Sequence, residues 1–242
     1  MLSKNQIKLI KSLSQKKYRR QHQLFTVEGV KGITEFLESD FVLHQLFTTK
    51  SVFNSHISVE ISETELKKIS ALTTPNTALA VFKIPDSKPI NNDNLILALD
   101  AVRDPGNLGT IIRLCDWFGI TDLVCSMETV DCFNTKVVQS TMGSLSRVNV
   151  TYTKLKDFLN AQNAYIIGTF MEGENIYDSQ LPNKGVIVLG NEAKGISTEI
   201  KALTHMKISI PRYGALKATE SLNVATAASI VLSEFKRRTT EM

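Results

Sequence analysis

Three short stretches gather side chains able to hold and polarise a ligand. The first is Asp104-Pro105-Gly106-Asn107-Leu108-Gly109, followed by Arg113. Arg113 offers a planar fork of donors suited to phosphate, and nearly two helical turns beyond Asn107 its side chain can reach back toward a strand end. The plainer alternative is that Asn107 caps the helix and Arg113 is a surface cation. The second, Leu189-Gly190-Asn191-Glu192-Ala193-Lys194-Gly195, offers glycine backbone that a flat ligand can approach, with Glu192 beside it as acceptor or simply as an acid near a helix start. Its Gly190 and Gly195 mimic a phosphate loop, but Ile196 stands where the lysine belongs, so ATP binding is not indicated. The third runs from Ile210-Pro211 to Glu220-Ser221-Leu222-Asn223 at the mouth of an Ala-rich segment holding Ala225, Ala227 and Ala228. Ser221 or Asn223 singly reads as a helix cap; two such side chains beside Glu220 are less ordinary. His22, His44, His56 and His205 are scattered without ligand spacing, so no metal is expected.

These stretches need a scaffold that brings strand ends together. The polar, proline-bearing run 84–94 divides the chain into a domain over 1–86, a linker over 87–94 and a domain over 95–242. In the first, apolar periodicity over Gln6 to Lys17 predicts a helix, with strands at Leu24 to Glu28, Val42 to Phe47, Ile57 to Val59 and Ala78 to Phe82 and helices at Val30 to Leu37 and Thr64 to Leu72. In the second, short apolar strands at 95–100, 122–126, 148–152, 165–169, 186–190 and 207–210 alternate with helices near 108–118, 134–145, 154–161, 196–203 and 221–237. Alternation of this kind predicts an α/β fold, a mostly parallel sheet with helices on both faces. In such sheets ligands lie beyond the carboxyl ends of the strands, which is where the three polar stretches fall.

Charge separates the two domains. Of 242 residues, 28 are Lys or Arg and 24 Asp or Glu, a net charge of +4, and residues 1–92 alone carry +5. The first twenty residues contain Lys4, Lys8, Lys11, Lys16, Lys17, Arg19 and Arg20 and no acid. Lys11, Lys16, Lys17, Arg19 and Arg20 are therefore expected to contact a polyanion, with a solvated basic face as the alternative. No stretch approaches the roughly 20 unbroken apolar residues of a membrane span. Cys115, Cys125 and Cys132 form no CxxC pair and suit buried reduced thiols, so a cytoplasmic protein is expected.

Taken in order, Asp104-Pro105-Gly106-Asn107-Leu108-Gly109 with Arg113, Leu189-Gly190-Asn191-Glu192 with Gly195, and Ile210-Pro211 followed by Glu220-Ser221-Leu222-Asn223-Val224 resemble the three motifs of the SpoU, or TrmH-type, RNA ribose methyltransferases of the SPOUT superfamily. Residues 133–144 look like that family's intermediate helix, and 11–37 are similar to a substrate-binding extension with a ribosomal-protein-like fold. The resemblance implies a deep C-terminal trefoil knot, a homodimer formed through the catalytic domain, and S-adenosylmethionine held chiefly by backbone around Leu189, Gly190, Asn191, Ile210 and Leu222. The implied reaction is methylation of a ribose 2′-hydroxyl; the substrate-binding extension and modest basicity favour ribosomal RNA, with transfer RNA as the alternative. Arg113 would then activate the hydroxyl, Asn107 orient it, and Glu192, Ser221 and Asn223 complete the pocket. A guanidinium with a pKa above about 12 is a poor base, so clamping the adjoining phosphate is the more physical role for Arg113. Many members place the Glu-Ser-Leu-Asn element about six residues beyond Ile-Pro, whereas Pro211 and Glu220 lie nine apart, with Arg212, Tyr213 and Lys217 between. A silent RNA-binding protein on the same fold is the competing expectation; a nicotinamide enzyme lacks its glycine fingerprint.

Overall fold

The computed structural model describes residues 1–161, 164–214, 216 and 221–239. It divides into two compact units, one made of 1–86 with 131–147, the other of 87–130 with 148–242. Each is described in turn.

In the first unit, helices α1 (Lys4–Ser12), α2 (Lys16–His22), α3 (Val30–Leu37) and α4 (Glu63–Ile69) accompany strands β1 (Leu24–Glu28), β2 (Leu43–Thr48), β3 (Val59–Glu60) and β4 (Ala78–Lys83). The strands order as β1-β4-β2-β3, with β4 antiparallel to both neighbours and β3 parallel to β2. One apolar cluster joins Ile10 and Leu13 to Leu24, Phe47, Leu66 and Leu79. A second is aromatic: Phe25 packs on Phe36, Phe41, Phe82 and Phe133, with ring centroids 4.7 to 6.1 Å apart, each pair worth about 0.5–1.5 kcal/mol beyond its buried area. Phe133 explains why 131–147, expected within the second domain, groups here.

The single helix expected over Gln6 to Lys17 is two. Ser3 and Gln6 form a capping box that starts α1, and the chain turns at Leu13 to Gln15 before α2. Arg19 sets that turn. Its Nη1 donates to the carbonyls of Leu13 (2.8 Å) and Ser14 (2.9 Å), while Nε and Nη2 donate to Asp131 Oδ2 at 3.0 and 2.6 Å. Arg19 is only 2% exposed, so the expectation that it contacts a polyanion is corrected: its donors are spent inside the unit. Lys11, Lys17 and Arg20 are exposed, and Lys16 is partly so.

The second unit holds β5 (Leu95–Leu99), α5 (Pro105–Trp117), β6 (Asp122–Ser126), β7 (Asn149–Thr153), α7 (Leu155–Ala161), β8 (Ile166–Asn175), β9 (Gly185–Leu189), α8 (Thr198–Lys201), β10 (Met206–Ser209) and α9 (Val224–Thr239); the short α6 (Thr135–Thr141) belongs to the first unit. The sheet runs β10-β8-β9-β5-β6-β7, and every adjacent pair is parallel. Strands β5, β6 and β9 are buried throughout, as continuous apolar runs in a covered sheet must be. Chain order reverses beside β5: β6 lies on one side, β9 on the other. That switch point opens a crevice at the carboxyl ends of β5 and β9.

Strand β8 runs further than the expected 165–169. Its first half pairs Ile167 and Gly168 with Met206 and Lys207, then the register jumps so that Glu174 and Asn175 face Ile208 and Ser209. Residues 169–173 have no register partner on β10, although Ser209 Oγ donates to the Gly173 carbonyl at 2.9 Å. Helix α9 packs on α5, and Arg238 anchors its far end by donating to Glu234 Oε1 (2.7 Å) and to the carbonyls of Ile176 (3.1 Å), Tyr177 and Ser179. The expected knot concerns the chain path after β10, where Ala215 and 217–220, including Lys217 and Glu220, lie outside the described residues.

Candidate active site

The three polar stretches meet through one line of hydrogen bonds. Asp104, not Asn107, is the N-cap of α5: its Oδ1 accepts the backbone N–H of Asn107 at 2.8 Å, and Pro105 follows as the first helical residue. This corrects the cap reading of Asn107 and frees its amide. Asn107 Nδ2 donates to Glu192 Oε1 at 3.0 Å, and Asn107 Oδ1 accepts from Asn223 Nδ2 at 2.9 Å. Asn223 Oδ1 in turn accepts the N–H groups of Ala225 (2.9 Å) and Thr226 (3.3 Å), starting α9. One asparagine thus caps a helix and locks another asparagine's orientation.

Glu192 ends the line. Its carboxylate also receives the backbone N–H groups of Arg103 and Asp104, each at 3.4 Å. Partial burial by itself would raise its pKa, but the Asn107 amide and these N–H donors outweigh it and hold the carboxyl below its ordinary range. Glu192 is therefore an ionised acceptor at neutral pH and a weak base.

Beside it, the loop after β9 is closed by its own backbone. Asn191 and Gly195 exchange N–H···O bonds of 3.0 and 2.9 Å. Asn191 Nδ2 donates to the carbonyl of Ala101 (2.7 Å), while its Oδ1 accepts from Ala193 and Lys194. A Cβ on Gly190 would stand 2.2 Å from the Gly195 carbonyl carbon and the Ile196 nitrogen. The glycine is required by the loop folding on itself. Buried Asp100 accepts the N–H of Ser197 at 2.7 Å and secures the loop's exit to the end of β5.

Around these residues lies an open cleft of about 1260 Å³. Leu189, Gly190, Asn191, Glu192, Ile210, Ser221 and Leu222 all line it. Its aliphatic walls beside exposed loop backbone and an ionised acceptor suit a ligand that is flat and apolar in one part and polar in another. Ser221 is exposed at the wall. Arg113 is the expected site residue that the geometry leaves apart: it is exposed on α5, does not line the cleft, and forms no hydrogen bond or ion pair with another described residue. Sequence reasoning missed Asp104 and Asp100, although Pro at the first helical position was a signal for the former. Among the described residues no three His, Cys, Asp or Glu side chains gather as metal ligands, and no helix is long and apolar enough to cross a membrane.

Residues 94–233 match the model of the SpoU rRNA methylase family, and residues 4–80 that of an MRM3-like substrate binding domain. The 23S rRNA (guanosine(2553)-2′-O)-methyltransferase RlmP of Bacillus subtilis is 30% identical over 95% of this chain and 96% of its own length. Among solved structures, a TrmH-family protein from Porphyromonas gingivalis is 40% identical with a TM-score of 0.89, covering 98% of this chain and 99% of that one. An AdoMet-bound rRNA methyltransferase from Sinorhizobium meliloti is 29% identical with a TM-score of 0.86, covering 98% and 96%. With residues of the family's three motifs joined by hydrogen bonds beside one cleft and its model spanning more than half of the sequence, this chain belongs to the SpoU rRNA methylase family.

Proposed function

We propose that the protein transfers the methyl group of S-adenosylmethionine to a ribose 2′-hydroxyl of ribosomal RNA. The observation that carries this reading is the Asn223–Asn107–Glu192 line, which ties three strand-end loops beside a cleft large enough for a cofactor and a nucleotide. The names of the relatives support the same chemistry and favour an enzyme over a silent binder. They also support ribosomal over transfer RNA.

Leu189, Ile210 and Leu222 would hold the cofactor between aliphatic walls, with the backbone of Gly190 and Asn191 along one side. Once bound, S-adenosylmethionine supplies a sulfonium-borne, electrophilic methyl. The chain's task is to orient a hydroxyl and ease its deprotonation. Asn107 has one Nδ2–H committed to Glu192, which leaves its second Nδ2–H to hold the ribose oxygen. Glu192 keeps the amide in that sense, and Asn223 prevents it from flipping. Ser221 offers a hydroxyl on the facing wall. Arg113 clamps the adjoining phosphate and lowers the hydroxyl's pKa by its charge, the proton leaving to phosphate or water.

The protein acts as a homodimer formed through the second unit, a reading supported by Trp117, which is 83% exposed on the same helix as Arg113. The catalytic domain carries the family's C-terminal knot. Lys11, Lys16, Lys17 and Arg20 contact the RNA from the first unit, and the enzyme works in the cytoplasm on its ribosomal substrate. Ribose-methylation mapping of total RNA from cells with and without the gene tests the proposal. One ribosomal mark is expected to vanish; an unchanged map overturns the function.

A further inference from the structure

We infer that Lys201 and Lys207 form a two-cation grip for a phosphodiester of the RNA strand at the rim of the cleft, an inference that rests on the methyltransferase reading above. Lys201 ends α8 and Lys207 lies on β10, and both side chains line the cleft. Their ammonium groups stand over one ring, that of Phe170, at 5.5 and 6.0 Å from its centroid. Phe170 belongs to the stretch of β8 that leaves the pairing with β10. It is half-buried against the apolar cluster that includes Ile196 and Ile200, and its ring folds back so closely that a Cβ on Gly168 would stand 2.5 Å from its Cε2. Lys207 is the register partner of Gly168. A glycine, a ring packed over it and two lysines from separate elements therefore make one small platform.

Neither lysine is ion-paired with another described residue; the nearby acid of α8, Glu199, faces Lys156 at 3.8 Å instead. Among the described cleft residues, Lys194, Lys201, Lys207 and Arg212 outnumber Glu172 and Glu192, and Glu192 is already engaged with Asn107. Both ammonium groups stand within 6.0 Å of one ring centroid, and two such cations without a counter-ion attract an anion to this part of the rim. A strand threading its ribose into the cleft brings phosphodiesters along the rim, and compact ammonium charges suit a phosphate that needs holding rather than reading.

The test uses the full chain and a labelled, short, mixed-sequence single-stranded oligoribonucleotide. Lys201→Gln/Lys207→Gln is expected to weaken binding about tenfold near 0.1 M salt and to make the slope of log affinity on log salt shallower by about 0.7, the value for one phosphate on a single strand. The KM for RNA rises while kcat stays near that of the unaltered enzyme. Calorimetric affinity for S-adenosylmethionine is unchanged, and Lys201→Arg/Lys207→Arg keeps the original slope. Lys184→Gln removes one exposed charge just before β9, at the amino end of that strand and outside the cleft lining, and leaves the slope as it was. An unaltered slope in the double variant of an active enzyme overturns the grip alone, as does a loss of cofactor affinity or an equal effect of Lys184→Gln. Failure of the unaltered protein to methylate RNA overturns the proposed function itself.

Discussion

Arg19 and Arg113 look alike in the sequence, each a cation in a stretch suited to phosphate, and the two units use them in opposite ways. In the first unit Arg19 is buried and its donors are filled by Asp131 and two carbonyls. In the second, Arg113 is exposed and bonded to no described residue, while its neighbours Asn107, Glu192 and Asn223 are tied together. A cation whose donors are already satisfied holds structure; one left open is available to a ligand. The contrast teaches that charge type and spacing identify candidates, and that burial with donor accounting decides between them.

Four measurements break or sharpen that contrast. The largest effect is expected at Arg113: replacement by Ala lowers single-turnover methyl transfer by about 10²–10³-fold with melting unchanged, whereas Arg113→Lys keeps a measurable fraction. Equal activity in all three proteins removes Arg113 from the mechanism. Arg19→Ala has the converse signature, a loss of about 3 kcal/mol in denaturant unfolding because Asp131 and two carbonyls are orphaned. The folded fraction of that variant keeps its specific activity.

Glu192→Gln comes third, lowering kcat by about tenfold, since an amide placed against the donors of Asn107, Arg103 and Asp104 can accept with only one of its two ends. The same residue sets a sign in pH. Its folded pKa lies below the ordinary carboxylate value, so its stabilisation is complete above that value and is lost as pH falls through the lowered one. Unfolding free energy against pH should therefore lose an acid-side component in Glu192→Gln, and the rate profile between about pH 6 and 9 should keep its shape. The smallest effect is at Lys17: Lys17→Gln weakens oligoribonucleotide binding by a factor of about two to five, visible chiefly as a shallower salt slope. A matching drop in stability would move Lys17 into the class of Arg19.

Much of this was legible in the sequence because the relevant signals are local. The continuous apolar runs of β5, β6 and β9 mark buried parallel strands, and the segments that follow β5, β9 and β10 carry Asn107, Glu192 and Asn223. What escaped reading depends on distant partners. Nothing near Arg19 announces Asp131, 112 residues away, and nothing near Phe170 announces that β10 will pair with β8 and bring Lys207 over its ring. The capping alternative for Asn107 fails for a local reason, since Pro105 already makes Asp104 the cap. For Gly190 the loop's own folding is a second demand, visible only in its close approach to Gly195 and Ile196.

That self-closed turn has a kinetic corollary. A wall whose shape is fixed by Asn191, Gly195 and Gly190 before anything arrives needs no ordering when a cofactor enters, so capture there is inexpensive in chain entropy. If it holds the cofactor as proposed, this wall of backbone and aliphatic side chains would contribute uniform affinity to methyl donor and spent donor alike. The demethylated product should compete strongly for the vacant enzyme, making its clearance a natural brake on turnover.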